Sequence, residues 1–532
     1  MRDELRLWAW CLMTLVICSC SGPRDEASRR DPDTLVVSQG SDLLTLDPHF
    51  ILESPSFCIQ RNIFDPLTDI DAGLRLKPCL AESWSRDEQG AWTFRLRPGV
   101  TFHNGNPFTA SDAVYSINRA LTWPGSRVKS EIPTISKVEA AGDFAVLITT
   151  ARPDPILPLR LAMILMLDRE TCEPAIAARG DDWLYAHANG TGPYQVEEWR
   201  KDEHCILAAN SNYWGDDRPA IKRINFLATS EDATRMMLLQ RGDIDILVNV
   251  PPRYAKTVAE IPGCRIQSRP GLRLIYLGLD CGRDKSPGAP ASPPNPLRDR
   301  RVRRAIALGI DNALIVKTIM GGNAQPAGQL LPEGVTGHIP GFEFPRPDYA
   351  KARTLLAEAG YAGGFKLRLD GPNDRYVNDK QILQAVAIQL ARIGIKVEVN
   401  ALPKAQFFDI ERAGRCSFFL SGWSNTNGDG AATFDHLLHT PNKEAGLGGA
   451  NHSTNYSNPE LDKLADAAAT EFDPAARARD LERANRIAME DLPHIPLHFQ
   501  MDLYAVSDRV AWTPRRETQI RGVEVKWKKA GD

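Results

Sequence analysis

The sequence predicts an α/β protein of more than one lobe, with a smaller α+β unit set into it. Three observations carry this. The chain has 532 residues, well past the ~250–300 at which a single core stops growing. Residues 365–369, 381–393 and 395–399 read as strand, helix and strand, with Gly394 closing the helix. That spacing is a βαβ unit, a parallel strand pair joined by a right-handed crossover. Residues 81–118 read instead as strand, turn, strand, turn and capped helix.

The stretch 81–118 shows how the prediction is built. Trp92, Phe94 and Leu96 alternate with Thr93, Arg95 and Arg97, so one strand face is apolar and the other polar. Pro98-Gly99 breaks that strand, Val100 and Phe102 resume the alternation, and Asn104-Gly105 supplies a tight turn. Thr109 followed by Asp112 marks a helix start, because both side chains can satisfy open backbone N–H groups. Val114, Ile117 and Leu121 then share one helix face.

Bulk composition narrows the function classes. Charged residues at 25% and hydrophobic residues at 43% suit a globular protein with ample core. A net charge of −3 argues against general nucleic-acid binding, which favours a basic balance. Eleven Trp, eighteen Phe and eleven Tyr argue against disorder.

The N-terminus is a separate matter. Arg2 and Arg6 precede an apolar run over 7–17. The run is too short to span a bilayer, which takes ~20 apolar residues, and it suits the core of a secretory signal. Ile17-Cys18-Ser19-Cys20 resembles a bacterial lipobox. That resemblance implies cleavage after residue 19, lipidation of Cys20 and a charged, Ser/Pro/Gly-containing tether over 21–33. A plain cleaved signal is the alternative. Of ten cysteines, seven remain beyond Cys20, at 58, 79, 172, 205, 264, 281 and 416. An odd number leaves at least one thiol unpaired, and none form the C-x-x-C of a zinc or redox site.

Further along, strands are expected at 34–37, 135–138 and 145–149, and a buried helix over 157–167. A helix over 232–241 ends at Gly242 and leads into alternating Asp243-Ile244-Asp245-Ile246. Asp245 reads as a polar strand residue rather than a metal or catalytic carboxylate. Residues 282–296 hold five prolines and form a loop. In 297–311, Val302, Ile306 and Ile310 form an apolar stripe, with Arg300, Arg301, Arg303 and Arg304 on the solvated faces. Residues 349–359 make a helix with Ala350, Leu355, Leu356 and Ala359 inward. Asn458-Pro459 caps another helix, and 476–489 forms the last.

Several blocks together resemble the extracytoplasmic solute-binding proteins of peptide-type ABC importers, family 5, the oligopeptide- and dipeptide-binding type. They are Ala81-Glu82-Ser83-Trp84, 92–97, Phe102-His103-Asn104-Gly105, 109–116, Thr45-Leu46-Asp47-Pro48-His49, Gly190-Thr191-Gly192-Pro193-Tyr194 and Asn210-Ser211-Asn212-Tyr213-Trp214. The resemblance covers about 34–511 in the family's order. It implies a periplasmic-binding-protein-like α/β fold (type II, cluster C), with two α/β lobes, a hinge and a small α+β lobe. The implied division is 34–50, 190–272 and 493–525 for the first large lobe, 51–189 for the small lobe and 273–492 for the second. It further implies a monomeric, lipid-anchored extracytoplasmic protein without cofactor or catalytic residues. The expected partners are a small peptide-like solute and separate ABC permease and ATPase subunits.

The ligand is expected at 421–429, Ser-Gly-Trp-Ser-Asn-Thr-Asn-Gly-Asp. In the family this strand end faces the interlobe cleft, and peptide binders carry an Asp three residues after the Trp to pair with the ligand's ammonium group. Here that position is Thr426, and Asp429 is the nearest substitute. Ser424 stands where oligopeptide binders place a disulfide cysteine. The resemblance also turns Leu52, Glu53 and Ser54 toward the cleft, with Glu53 a second source of negative charge. The candidate ligand-binding residues are therefore Leu52, Glu53, Ser54, Gly422, Trp423, Ser424, Asn425, Thr426 and Asp429. Trp423 is either an aromatic wall of the site or part of the core. His436 and His439 sit three apart, but two histidines need further ligands to hold a metal, so a nickel or metal-chelate reading stands only as an alternative. A non-transporting sensor on the same fold is the other. The Gly-rich 190–194 block lacks the Gly-Lys-Ser/Thr of a phosphate loop, and no nucleophile–base motif appears.

Overall fold

The structure, a computed structural model, describes residues 31–50, 53–285, 287, 295–425, 428–442, 447–449, 451 and 453–529. The expected signal, Cys20 and most of the tether lie outside the described residues, as do Leu52 and Thr426.

One mixed sheet of eleven strands runs through most of the molecule. Two of its strands are long and antiparallel, Cys264–Leu279 and His494–Ser507. At one end, residues 501–507 of the second pair with 264–270 of the first, and then with Ile246–Leu247. Thr34–Gln39 lies beside that strand, parallel to both Ile246–Leu247 and Arg223–Ala228. His204–Ala209 and Tyr194–Arg200 complete this half. At the other end, residues 274–278 pair with 494–499. There Cys264–Leu279 also pairs with Phe418–Ser424, which leads to Phe365–Pro372 and Ile395–Leu402. Phe365–Pro372 and Ile395–Leu402 are parallel, joined through the helix Asp379–Ala391, as their sequence spacing predicts.

Each half of the sheet carries its own core. Leu35, Val37, Tyr194, Phe226 and Tyr504 anchor the first. Leu277, Ile306, Leu369, Phe418, Phe434 and Leu481 anchor the second. A third core, around Phe94, Phe102, Phe108 and Ile117, sits beneath a separate four-stranded antiparallel sheet made by Ala81–Arg86, Trp92–Leu96, Ala145–Thr150 and Ile135–Ala140. Ile70, Leu74 and Ala162, from the stretch expected in the small lobe, pack with the second core.

Local chemistry explains most elements. The Asp112 carboxylate accepts from both the N–H and the hydroxyl of Thr109, 2.9 and 3.0 Å, and starts the helix Ala110–Thr122. The helix buries Ala113, Ile117 and Ala120 fully and Val114 and Leu121 in part. Asn458 accepts from Glu460 and Leu461 N–H groups and caps Pro459–Thr470.

Other expectations need correction. Val100 and Phe102 form no strand; a single bridge between Thr101 and Pro107 closes a turn around Gly105, whose φ is +93°. Residues 157–167 are not one helix: Leu157–Arg160 passes into a 3-10 turn at Leu161–Met163 and then runs extended. A continuous apolar run carries no period to tell these apart. The helix Tyr349–Glu358 turns Ala352 and Leu356 inward and leaves Ala350 exposed. Arg303 is buried, donating to the carbonyls of Leu297, Arg298 and Asp491. Asp245 is fully buried and accepts from Val36 N–H at 3.0 Å, a structural role. All seven described cysteines are free thiols.

The small sheet is tied to the first half by charge. Arg119, on the helix Ala110–Thr122, donates twice to Asp47, at 3.0 and 2.6 Å, and both groups are buried. Arg119→Met would leave Asp47 buried without its counter-charge, at a cost of about 3–5 kcal/mol. Chemical denaturation should show the midpoint falling accordingly; an unchanged midpoint would mean that water reaches Asp47.

Candidate functional site

The two long strands do not pair without a break. Their ladder shifts register between Pro270 and Leu274, where proline lacks an N–H to give. Gly271 fills the gap, and a Cβ there would fall 2.6 Å from Asp502 Oδ2 and 3.1 Å from the Gln500 carbonyl. A cleft of about 770 Å³ opens at this break. Ser54, residues 249–253, 500–503 and 516–518 line it from the first half. Leu272, Arg273, residues 318–321 and 375–378, Asn323 and Ser424 line it from the second.

Arg273 stands opposite Ser424 in the ladder and is half-buried. Burial, then the nearby Arg375, lower its proton affinity, while Tyr376 and Asp502 raise it. Arg375 is exposed and rests over the Tyr376 ring, 5.3 Å from its centroid. Tyr376 is held from below: its hydroxyl accepts from Gly422 N–H at 2.9 Å. Arg516 enters from the first half, half-buried, with Arg269 repelling it and Glu333 attracting it. Among the described residues no hydrogen bond or ion pair holds the guanidinium of Arg273, Arg375 or Arg516. The fourth lining arginine, Arg253, is paired with Asp232.

Two carboxylates face the cleft. Glu517 is paired with Arg515. Asp502 is not: its Oδ2 is buried with no hydrogen-bond partner among the described residues. Burial pushes its pKa up to about 7 against the pull of Arg273.

The residues expected from the sequence divide sharply. Ser54 and Ser424 are on the cleft wall. Gly422 lies just behind it, where a Cβ would come 2.8 Å from the Tyr376 ring. Glu53 is occupied as a helix cap, accepting from Ser56 N–H at 2.8 Å and from the Ser56 hydroxyl. Trp423 points the other way: its indole donates to Thr433 Oγ1 at 3.1 Å and it packs on His436, rings 5.5 Å apart. Asn425 is buried and donates to the Asp429 carbonyl at 2.5 Å. Asp429 corrects a sequence expectation. It is buried in a two-fold ion pair with Arg477, so its charge is spent inside the second half and does not face a ligand. His436 and His439 do not converge either. His439 lies beside Asp462 and Asp466, while His436 packs at a tilt against Trp423. Among the described residues no group of three or more His, Cys, Asp or Glu is placed to hold a metal.

Sequence reasoning missed Arg273, Arg375, Tyr376, Asp502 and Arg516. Two carried a usable signal: Arg273 interrupts the otherwise apolar 272–279, and Asp502 is the one acidic residue over 494–506.

A cleft between two halves of one sheet, joined by two crossing strands, defines a bilobal solute-binding protein. Residues 75–445 match the sequence profile of the bacterial extracellular solute-binding proteins, family 5 (middle), and the chain belongs to that family. Its relatives include the glutathione-binding protein GsiB of Escherichia coli K12, 26% identical over 471 residues, 87% of this chain and 88% of the relative. The Shigella flexneri GsiB matches at the same identity over 471 residues, 87% and 88% of the two chains. Among solved structures, HbpA2 from Haemophilus parasuis superimposes with a TM-score of 0.82 at 24% identity, covering 93% of this chain and 100% of that one. DppA from Helicobacter pylori, in complex with the peptide STSA, gives 0.74 at 23%, covering 93% and 98%. The fold is thus the type II, cluster C periplasmic-binding fold. Among the described residues no helix is long and apolar enough to cross a membrane.

Asp502 titrates near 7 when folded and near 3.9 when unfolded. Between those values the folded chain holds the extra proton, so this group's contribution to stability falls as pH rises from about 4 through 7. Asp502→Asn should therefore gain melting temperature over wild type as pH goes from about 5 to 8; a constant difference would count against it. Gly422→Ala should push the Tyr376 ring off its seat and weaken solute binding, measured by calorimetry, while far-UV circular dichroism stays unchanged.

Proposed function

We propose that this chain is the solute-capturing component of an ABC importer. It takes a short peptide-like molecule, of the size of glutathione or a di- to tripeptide, between its two large lobes and hands it to a permease. It catalyses no reaction itself, and ATP is used by separate subunits. The observation that carries this reading is the cleft at the break of the crossing strands, walled by both lobes. Its volume of about 770 Å³ lies within the ~300–1,000 Å³ of small-molecule sites. Among the described residues two strands of the sheet cross between the halves, with a break in their ladder at the cleft, which suits closure about a hinge. A solute drives such closure only through contacts it makes better in the closed state, and a ligand touching both walls does so. The names of the relatives support the ligand size: one binds glutathione and another was solved with a four-letter peptide.

We place the protein outside the cytoplasmic membrane, tethered by lipid on Cys20 through residues 21–33. The lipobox-like Ile17-Cys18-Ser19-Cys20 supports this.

Native mass spectrometry of the purified protein should find a co-purified small molecule within the mass range of short peptides. Small-angle scattering should show compaction on adding it. No bound molecule, and no compaction with glutathione or a dipeptide library, would overturn the reading. Cys20→Ala should move the protein from the membrane fraction to the soluble fraction; unchanged membrane association would overturn the lipid anchor alone.

A further inference from the structure

We propose that the cleft selects short zwitterionic solutes carrying two or more carboxylates, and that Arg273 and Arg375 of the second lobe and Arg516 of the first choose them. The inference rests on the proposed function and names the substrate class of the same site.

Charge accounting leads there. Among the described residues four arginines line the cleft, and only Arg253 has an acidic partner within ion-pair distance. Of the two lining carboxylates, Glu517 is taken by Arg515. Three guanidinium groups therefore face one uncommitted carboxylate, Asp502. Two acids adjoin Arg375 behind the wall, and neither forms an ion pair with it: Asp374 accepts from Lys404 N–H at 2.7 Å, and Asp379 is buried and accepts from the N–H groups of Arg375 and Tyr376 at 2.9 and 3.0 Å. Glu333 attracts Arg516 without forming an ion pair, and Arg269 beside it is cationic.

An arginine stays charged at any physiological pH, and its planar fork matches a carboxylate in two parallel hydrogen bonds. Arg273 and Arg375 are close enough to repel one another. One carboxylate between them would turn that repulsion into attraction to a shared anion. Arg516 approaches from the opposite lobe, so a second carboxylate on the same solute would bridge the walls. A doubly acidic solute then gains contacts in the closed state that a neutral one lacks.

Asp502 adds the other half of the specification. Its carboxylate lines the cleft near Arg273, with Oδ2 tucked against Gly271 and without a hydrogen-bond partner among the described residues. A pure polyanion would be repelled there when Asp502 is ionised, whereas an ammonium group would be welcome. Asp502 thus supplies a negative charge that Thr426 cannot. Two acids and one amine on a small frame are the features of an acidic di- or tripeptide or of a γ-glutamyl peptide.

The test uses calorimetry on the purified mature chain with three probes: Ala-Glu-Gly, its isostere Ala-Gln-Gly, and Ala-Glu-Gly amide. Each lost carboxylate should weaken binding by about tenfold to a hundredfold, as charge-assisted hydrogen bonds do, and the gap should shrink at high salt. Arg375→Gln, at an exposed side chain, and Arg516→Gln should each bring the ratio of acidic to neutral affinity down toward one. Arg273→Lys should keep charge but lose the fork, and reduce the ratio in part. Equal affinity for all three probes, or a ratio unmoved by Arg375→Gln and Arg516→Gln, overturns the acid selection while leaving the peptide-binding cleft standing. Failure of every probe and of a peptide library to bind the wild type overturns the cleft reading and the acid selection together.

Discussion

Everything in this molecule depends on two strands that belong to both large lobes. Cys264–Leu279 and His494–Ser507 pair over most of their length, yet the ladder loses register between Pro270 and Leu274. A sheet is stiff along its hydrogen-bonded strands and weak where the ladder is interrupted. Proline without a donor and glycine without a side chain place one such weakness at 270–271, and the cleft opens there. The position of the site follows from the position of the break.

The same constraint accounts for the electrostatics. Backbone at the break is drawn into the ladder on either side, so side chains at 273 and 502 are held at the cleft wall whatever their chemistry. A half-buried guanidinium and a carboxylate with an unmet oxygen are unfavourable without a partner. Several buried acids elsewhere are ion-paired: Asp47 with Arg119, Asp429 with Arg477, Asp69 with Arg61 and Arg521. Asp429 and Asp502 differ in this respect, since Arg477 holds the first and the second keeps an oxygen without a hydrogen-bond partner among the described residues.

Much of the fold was legible because its signals are local. The βαβ unit at 365–402, the capped helix after Thr109 and the Asn458-Pro459 helix start depend on residues within a few positions of each other, and each is present. The run 157–167 was misread because uniform apolarity carries no period, and Ala350 because a small residue says little about which way a helix faces. The site was less legible for a different reason. Its charged groups stand at 273, 375, 502 and 516, brought together by a topology that returns to the cleft from four separate directions. The neighbourhood of Trp423 looked like the site because the resemblance pointed to that strand end. Ser424 does reach the wall, but Trp423 and Asp429 turn back into the second core. A strand alternates its faces, and one residue along is the other side.

The crossing strands also impose an order of assembly. The second lobe is entered along one of them and left along the other, so its chain is nearly contiguous. The first lobe is gathered from distant pieces. Ile246–Leu247 pairs with the returning strand at Ala505 and Val506. Asn62 is clasped by the last segment, donating to the Ile520 carbonyl at 2.9 Å and accepting from Gly522 N–H at 2.7 Å. Tyr194 packs against Gly522 so closely that a Cβ there would fall 2.3 Å from its ring. A growing chain therefore cannot complete its first lobe until residues 520–522 have appeared, well after the residues of the second lobe are made.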